Sequence, residues 1–403
     1  IQMAFLIVSI FPKLFVIGMF FFNMGKILGI IGGGQLGMML TEAANNMKSE
    51  ISNVIVLDPT KNCPASKVGA EQIVADFKDA TAITDLAKKC DIITYEIESG
   101  DSQVLKSLEE VCEINPSPET LEIIQDKLVQ KKFLAKNNIQ VAEFSEILSK
   151  EQIESKISEF GLPVLLKTRT GAYDGRGNFK ITSLGQIPEA LEVFKGQSLM
   201  IEKFVDFKME VSVIASRSTS GEIRTYPLVE NIHEDNILKM TIAPARINET
   251  ISKNAEEIAH KTMEVLHGAG VFGIEMFVTN DDQVLINEIA PRVHNSGHHT
   301  LQSSKTSQFE QHLRAILGLE LGSTELVYNT IMYNILGPRD FTGIYKSPSI
   351  DLENTFLKMY GKLESKPQRK IGHVNLVDKD NLGTEKLLEI INTVSDSIKI
   401  IPA

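Results

Sequence analysis

Two glutamates, Glu275 and Glu288, stand on either side of the short polar turn Asn280 to Asp282, within the segments GIEMFVT and QVLINEIA. Both segments carry the apolar runs of strands around a turn, which predicts an antiparallel hairpin. The two carboxylates then lie opposite each other, or within one residue of it, and facing carboxylates repel unless a cation sits between them. Hard oxygen ligands with Asn287 alongside suit Mg²⁺ holding a nucleotide's phosphates; two solvated surface acids are the alternative. Directly after Glu288 comes IAPRVHNSGHH, a dense run of polar side chains with little core-forming content. Arg292 can fork onto a carboxylate or phosphate, and His294 and Asn295 can orient a small oxygen-rich species. A metal site on His298 and His299 is disfavoured, because neighbours on one strand point to opposite faces.

A second group of residues lies upstream. The loop Gly171 to Gly177, GAYDGRG, separates the strand-like PVLLKTR from NFKITS. Since it joins two strands and does not open a helix, it differs from a Walker A loop and is expected to be a mobile lid. Its glycines let backbone N–H groups reach phosphates, and Lys167 offers a point charge to the same place. An idle hairpin is the alternative. Gly32 to Gly37, GGGQLG, fits G-x-G-x-x-G between a strand and a helix, with Asp58 closing the following strand. Taken alone it reads as a dinucleotide site. Its physical content is narrower: an anion can approach the N–H groups of a helix N-terminus there, or the turn is structural.

The elements that must position these groups follow from the patterning. KILGII, a helix over Leu36 to Lys48, VIVLD, a helix near Ala82 to Lys89 and DIITYEIE alternate as β and α, which predicts a parallel, doubly wound sheet. From Leu162 onward the texture changes to antiparallel hairpins, including EVSVIAS and IRTYPLVE around Ser218 to Gly221. A less patterned region begins near Leu319 and carries the basic stretch KPQRK. A length of 403 residues calls for two or three domains. The net charge of −11 argues against a general nucleic-acid surface, so any phosphate must be met locally. Cys63, Cys90 and Cys112 lack metal or redox spacing, which fits reduced thiols and no disulfide. The apolar segment Ile1 to Asn23 is interrupted by Pro12 and Lys13 and lacks a basic start and cleavage site, so it is expected to be a non-native or disordered extension, with Met24 as the true beginning and no stable membrane association.

Together, LLKTRTGAYDGRG, EKFV, VENIHEDNIL, NEIAPRVHNSGHH and RKIGHVN resemble the 5-(carboxyamino)imidazole ribonucleotide synthases, biotin-carboxylase-like members of the ATP-grasp superfamily, from Met24 nearly to the C-terminus. The resemblance implies an α/β and α+β architecture: a Rossmann-like domain over 24–121, a central ATP-grasp domain over 122–318 and a small C-terminal domain over 319–403. It implies a cytoplasmic homodimer that uses ATP, Mg²⁺, bicarbonate and 5-aminoimidazole ribonucleotide, and no nucleic acid. Lys127 and Lys167 correspond to ligands of the ATP phosphates, with Ala172, Tyr173, Asp174, Gly175, Arg176, Gly177 and Asn178 as the phosphate loop. Glu202, Lys203, Phe204 and Val205 match the adenine hinge, Glu210 the ribose ligand and His233 a further nucleotide contact. Glu275 and Glu288 match the magnesium carboxylates, with Asn287 beside them. Arg292, His294, Asn295 and Ser296 match the bicarbonate and substrate pocket, and Lys167, Asp174, Arg176, Arg292, His294 and Asn295 are the catalytic candidates. Gln35, Leu36, Glu96 and Glu98 match positions near the aminoimidazole ribonucleotide, and Lys362, Arg369 and Lys370 resemble its phosphate cradle. Ala172 and Ser99 depart from the family pattern, which often has Gly and Asn there. The RKIGHVN and HNSGHH strings speak against a formate-dependent transformylase or a biotin carboxylase, and intact Lys167, Glu275, Glu288 and Arg292 against an inactive regulator.

Overall fold

The computed structural model describes residues 25–171 and 177–403. The expectations for Ile1 to Asn23, and for Ala172, Tyr173, Asp174, Gly175 and Arg176, lie outside the described residues. The chain opens with β1 (Lys26–Ile31), α1 (Gln35–Asn45), β2 (Ile51–Leu57), β3 (Glu71–Ile73), α2 (Ala80–Ala87), β4 (Ile92–Tyr95), α3 (Ser102–Lys106), β5 (Glu113–Ile114) and α4 (Pro118–Gln125). The strands pair in parallel in the order β3-β2-β1-β4-β5, as the alternating pattern predicts. Strand β1 sits at the centre, and its Leu28, Ile30 and Ile31 are buried because helices cover both faces of such a sheet.

Next come α5 (Lys127–Lys136), β6 (Phe144–Ile147), α6 (Lys150–Phe160), β7 (Val164–Thr168), β8 (Asn178–Ile181), α7 (Ile187–Val193) and β9 (Leu199–Lys203). Their strands form a small antiparallel sheet, β6-β9-β7-β8, with Ile153, Ile157, Leu166, Ile181 and Ile201 in its own core. The sequence-predicted pairing of PVLLKTR with NFKITS is the β7–β8 ladder.

The large sheet is built from β10 (Phe207–Arg217), β11 (Ile223–Thr225), β12 (Val229–Glu234), β13 (Ile237–Ala243), the helix α8 (Glu249–Leu266), β14 (Gly270–Thr279), β15 (Val284–Ala290) and the short helices α9 (Thr300–Ser303) and α10 (Gln308–Ile316). It continues through β16 (Thr330–Leu336), β18 (Thr355–Met359) and β19 (Lys370–Val377); β17 (Tyr345–Lys346) pairs with β20 (Ile401–Pro402), and α11 (Thr384–Ser397) packs on β16. Among the described residues the order is β15-β14-β10-β12-β13-β16-β19-β18, all antiparallel, with β11 on β10. The β13–β16 ladder carries this sheet across the change in texture near Leu319, so the C-terminal strands extend the central sheet. A further core joins the first domain to the rest: Leu36, Met39 and Leu40 of α1 meet Phe309 and Leu313 of α10 and Tyr360.

Candidate active site

Glu275 on β14 and Glu288 on β15 are direct register partners. Just beyond them Met276 pairs with Ile286, so Asn287 is an extra residue in a β-bulge. The flanking Ile286 and Ile289 are buried in the core, and the bulge leaves the consecutive Asn287 and Glu288 half-buried at its edge. Burial, and then the charge of Glu288, push the Glu275 carboxyl up to about 7. Glu288 goes the other way: burial works against its charge, but the ammonium of Lys127 at the start of α5, with Lys167 and Lys131 behind it, holds the carboxyl below its ordinary value.

Behind this pair lies a layer that sequence reasoning only half found. Glu202, at 3% exposure, is held by Lys167 of β7 at 2.8 Å and by Lys131 of α5 at 3.3 Å. Burial favours its neutral form, but the two ammonium groups hold its carboxyl low. Burial likewise pushes Lys131 down despite Glu202. The side chain of Glu202 is therefore spent on orienting two lysines. Lys203 reaches Glu143 at 2.5 Å, and Lys180 stacks on Phe204 at 3.8 Å, so this strand end is tied down on both sides. Lys131 was missed because its signal, one helical turn after Lys127, is that of any amphipathic helix.

The run after Glu288 departs from its sequence reading in two respects. Val293, Ser296, His298, His299 and Thr300 are buried, so much of it is core; Arg292, His294 and Asn295 are half-buried at the edge. His298 and His299 lie on no strand: Asn295–Gly297 is a 3₁₀ turn that leads into α9. His298 contacts Gln308 at 3.2 Å, and His299 contacts Ser303 at 2.8 Å. Their side chains therefore do not alternate between two strand faces.

His294 lies 3.3 Å from Glu275 through Nε2, and its Nδ1 lies 2.9 Å from Ser296 Oγ. Ser296 is bonded to Ser212 of β10 at 2.8 Å, and Ser212 to Asn231 of β12 at 2.9 Å. Burial, with Arg292 next, pushes His294 well below its ordinary value, which leaves a neutral ring. Gly273 makes the approach possible, since a Cβ there would meet His294 Cβ at 2.5 Å. Asn295 and Asn334 of β16 exchange amide hydrogen bonds at 3.0 and 2.6 Å. On β10 and β12, Glu210 and His233 lie 2.8 Å apart; burial opposes the imidazolium, but Glu210 raises the ring's pKa above its ordinary value.

The first domain closes the other side. Glu98 lies 2.8 Å from Arg292. Glu96 accepts from Gly34 N at 2.5 Å and Gly37 N at 2.7 Å, and Asp58 accepts from Gly33 N at 2.8 Å. The glycine turn therefore already holds two carboxyl groups of the protein itself, which weighs against both a pyrophosphate and a substrate phosphate on it. Gly32 has φ +104°, and a Cβ there would meet Glu96 Cγ at 2.3 Å. Gln35 and Leu36 follow as the first residues of α1, Leu36 being buried. Opposite, Lys362 Nζ donates to the Lys370 carbonyl at 2.7 Å, while Arg369 is exposed.

Burial pushes the Glu96 carboxyl up to about 7, against the pull of its two backbone donors and Arg292. Its folded pKa is thus above its unfolded one, so its contribution to stability is full below about pH 4.5 and is lost as pH rises through about 7. Glu96→Gln should flatten the stability–pH curve between about pH 5 and 7.5, measured by urea unfolding at fixed ionic strength. An unchanged slope would contradict this.

These elements define an ATP-grasp ligase, and family comparisons place each part. Residues 24–125 match the ribonucleotide synthetase preATP-grasp domain, 132–309 the ATP-grasp domain, and 330–386 the phosphoribosylaminoimidazole carboxylase C-terminal domain. N5-carboxyaminoimidazole ribonucleotide synthase of Bacillus subtilis is 40% identical over 91% of this chain and 95% of its own. The crystal structure of N5-carboxyaminoimidazole ribonucleotide synthetase from Thermotoga maritima superposes with a TM-score of 0.85 at 45% identity, covering 94% of this chain and all of that one (100%). The Aspergillus clavatus N5-carboxyaminoimidazole synthase, solved with ADP and 5-aminoimidazole ribonucleotide, gives 0.84 at 36% identity over 93% of this chain and 100% of that one. The chain belongs to the N5-carboxyaminoimidazole ribonucleotide synthase family.

Proposed function

We propose that the chain carboxylates 5-aminoimidazole ribonucleotide with bicarbonate at the expense of ATP, giving 5-(carboxyamino)imidazole ribonucleotide, ADP and phosphate in purine biosynthesis. The observation that carries this is convergence: Lys127 meets Glu288 and His294 meets Glu275, while Glu202 holds Lys167 behind them and Arg292, four residues after Glu288, reaches Glu98 of the first domain. The relative solved with ADP and 5-aminoimidazole ribonucleotide supports both ligands.

The donor set fits Mg²⁺. Two facing carboxylates, one driven up to about 7 partly by the other's charge, are relieved by a divalent cation. Mg²⁺ takes one or two carboxylates and completes its shell with phosphates and water. When bound by Glu275 and Glu288, Mg²⁺ neutralises charge on the phosphates.

Lys127 and Lys167 orient and neutralise the β- and γ-phosphates, and Arg292 with neutral His294 and Asn295 holds bicarbonate in line. A bicarbonate oxygen bonds to the γ-phosphorus as the bond to the ADP oxygen breaks, giving carboxyphosphate. The exocyclic amine of the nucleotide then bonds to the carboxyl carbon, the phosphate leaves, and the departing phosphate carries off the amine's proton. No enzyme nucleophile takes part. Water must be excluded meanwhile, because carboxyphosphate hydrolyses readily. The same reading makes the protein a cytoplasmic homodimer; among the described residues no helix is long and apolar enough to cross a membrane.

The test is ADP release with each substrate omitted in turn. Full release requires ATP, bicarbonate and aminoimidazole ribonucleotide together; equal release without the last two would overturn the proposal. Arg369→Ala should raise the Michaelis constant for the aminoimidazole ribonucleotide about ten- to hundredfold and leave that for ATP near its parent value, as a charge-assisted phosphate contact contributes roughly 1.5–3 kcal/mol. The reverse selectivity would remove Arg369 from the phosphate cradle.

A further inference from the structure

Helices α4 and α5 are separated by one residue, Asp126, which is extended at φ −109° and ψ 109° and caps the second helix by accepting from Leu128 N and Val129 N. The same carboxylate takes a forked contact from Arg169, the first residue after β7: Nε lies 3.1 and 3.0 Å from its two oxygens and Nη2 2.5 Å from one. Lys127 N donates to the Arg169 carbonyl at 2.8 Å, so the start of α5 and the end of β7 are joined through main chain and side chain. Lys127 and Lys167 project from these two segments. The preceding residue, Gln125, donates from Nε2 to the carbonyls of Glu98 and Gly100, both at 2.6 Å. Glu98 is the residue that meets Arg292.

Three consecutive residues therefore reach three parts of the site: Gln125 the Glu98 loop, Asp126 the root of the β7 lysine strand, and Lys127 the carboxylate pair. We infer that Gln125 and Asp126, with Arg169, are positioning residues that set the nucleotide half and the aminoimidazole half of the site from one joint, Asp126 and Arg169 serving the first and Gln125 the second. A helix cap alone would not need a guanidinium held on both oxygens. Nor would it need an adjacent amide that grips two carbonyls of the loop that carries Glu98. The inference rests on the assignment of ATP and aminoimidazole ribonucleotide to these two halves.

Asp126→Asn isolates the clamp, because Asn caps helices as well as Asp but cannot hold Arg169 as a charged fork. The Michaelis constant for ATP should rise about tenfold, equivalent to one charge-assisted bond, with that for the aminoimidazole ribonucleotide near the parent value. Arg169→Lys keeps the charge and loses the fork, so it should reproduce this effect. The two changes combined should cost no more than either alone, as expected for residues that act as one unit. Gln125→Ala should show the opposite selectivity, about tenfold on the aminoimidazole ribonucleotide and little on ATP. Should Asp126→Asn fail to fold, Arg169→Lys carries the same test. Equal shifts in both constants, or a lowered melting temperature with unchanged constants, would reduce the joint to a structural cap and overturn the inference. A parent protein whose ADP release ignores both substrates would instead overturn the proposed function.

Discussion

Glu288→Gln should lower turnover by roughly two to three orders of magnitude while leaving the fold intact, because metal stabilisation of a transferring phosphoryl group is worth several kcal/mol. The change keeps size and shape and removes one of two carboxylates that are direct register partners. Its effect on the metal-free fold is a balance. Relief of repulsion with Glu275 stabilises, and loss of the partner of Lys127 destabilises. Since Glu288 is about half exposed, with its side chain at 47%, solvent screens both terms and the net should stay within about 1 kcal/mol. Added Mg-ATP should then raise the melting temperature less than in the parent, since ligand stabilisation follows affinity for the folded state. The experiment is paired melting curves with and without Mg-ATP, alongside ADP release. Near-normal turnover with full Mg-ATP stabilisation would take Glu288 out of the metal site.

Glu202→Leu should have the largest effect on stability. It strands the ammonium groups of Lys131 and Lys167, whose side chains are 3% and 8% exposed, without their shared counterion. Breaking a buried ion pair from one side costs about 3–5 kcal/mol, a large part of a typical folding free energy. The small β6-β9-β7-β8 sheet should loosen first, because Glu202 and Lys167 pack within it. Hydrogen exchange would show faster opening of β7 and β9 than of β1 or β14. Activity should fall too, since Lys167 loses the partner that orients it. The double change Glu202→Leu with Lys131→Met should recover only part of the stability, because it removes one of the two stranded ammonium groups and leaves that of Lys167 without a counterion. No recovery would mean that Glu202 acts through packing and not through charge.

Much of the architecture could be read from local pattern. The alternation of β and α segments before Leu121 gave the parallel sheet, since a period of 2 and a period of 3.6 are each visible over a single element. The facing of Glu275 and Glu288 followed from the length of one turn. Other features depend on contacts distant in sequence. Glu96 lies 59 residues from Gly37, whose amide it accepts, so the glycine turn alone looked open to a ligand. The bulge at Asn287 left no mark in the residue types, although it decides that two consecutive polar residues reach the cleft. The burial of His298 and His299 was hidden because polar residues in sequence look solvated until the elements that cover them are known; here Phe309, Tyr360 and His373 surround His298.

The sequence by itself determined the elements, the hairpin partners and the inventory of chemical groups, because backbone propensity, turn length and side-chain type are local properties. Tertiary structure alone decided which groups are buried and what each one faces: Glu202 against two lysines, Glu96 on a helix N-terminus, Asp126 on Arg169, and β16 added to the edge of β13. The physical reason is that desolvation and charge pairing depend on the assembled surroundings of an atom, and those surroundings come from segments far apart along the chain.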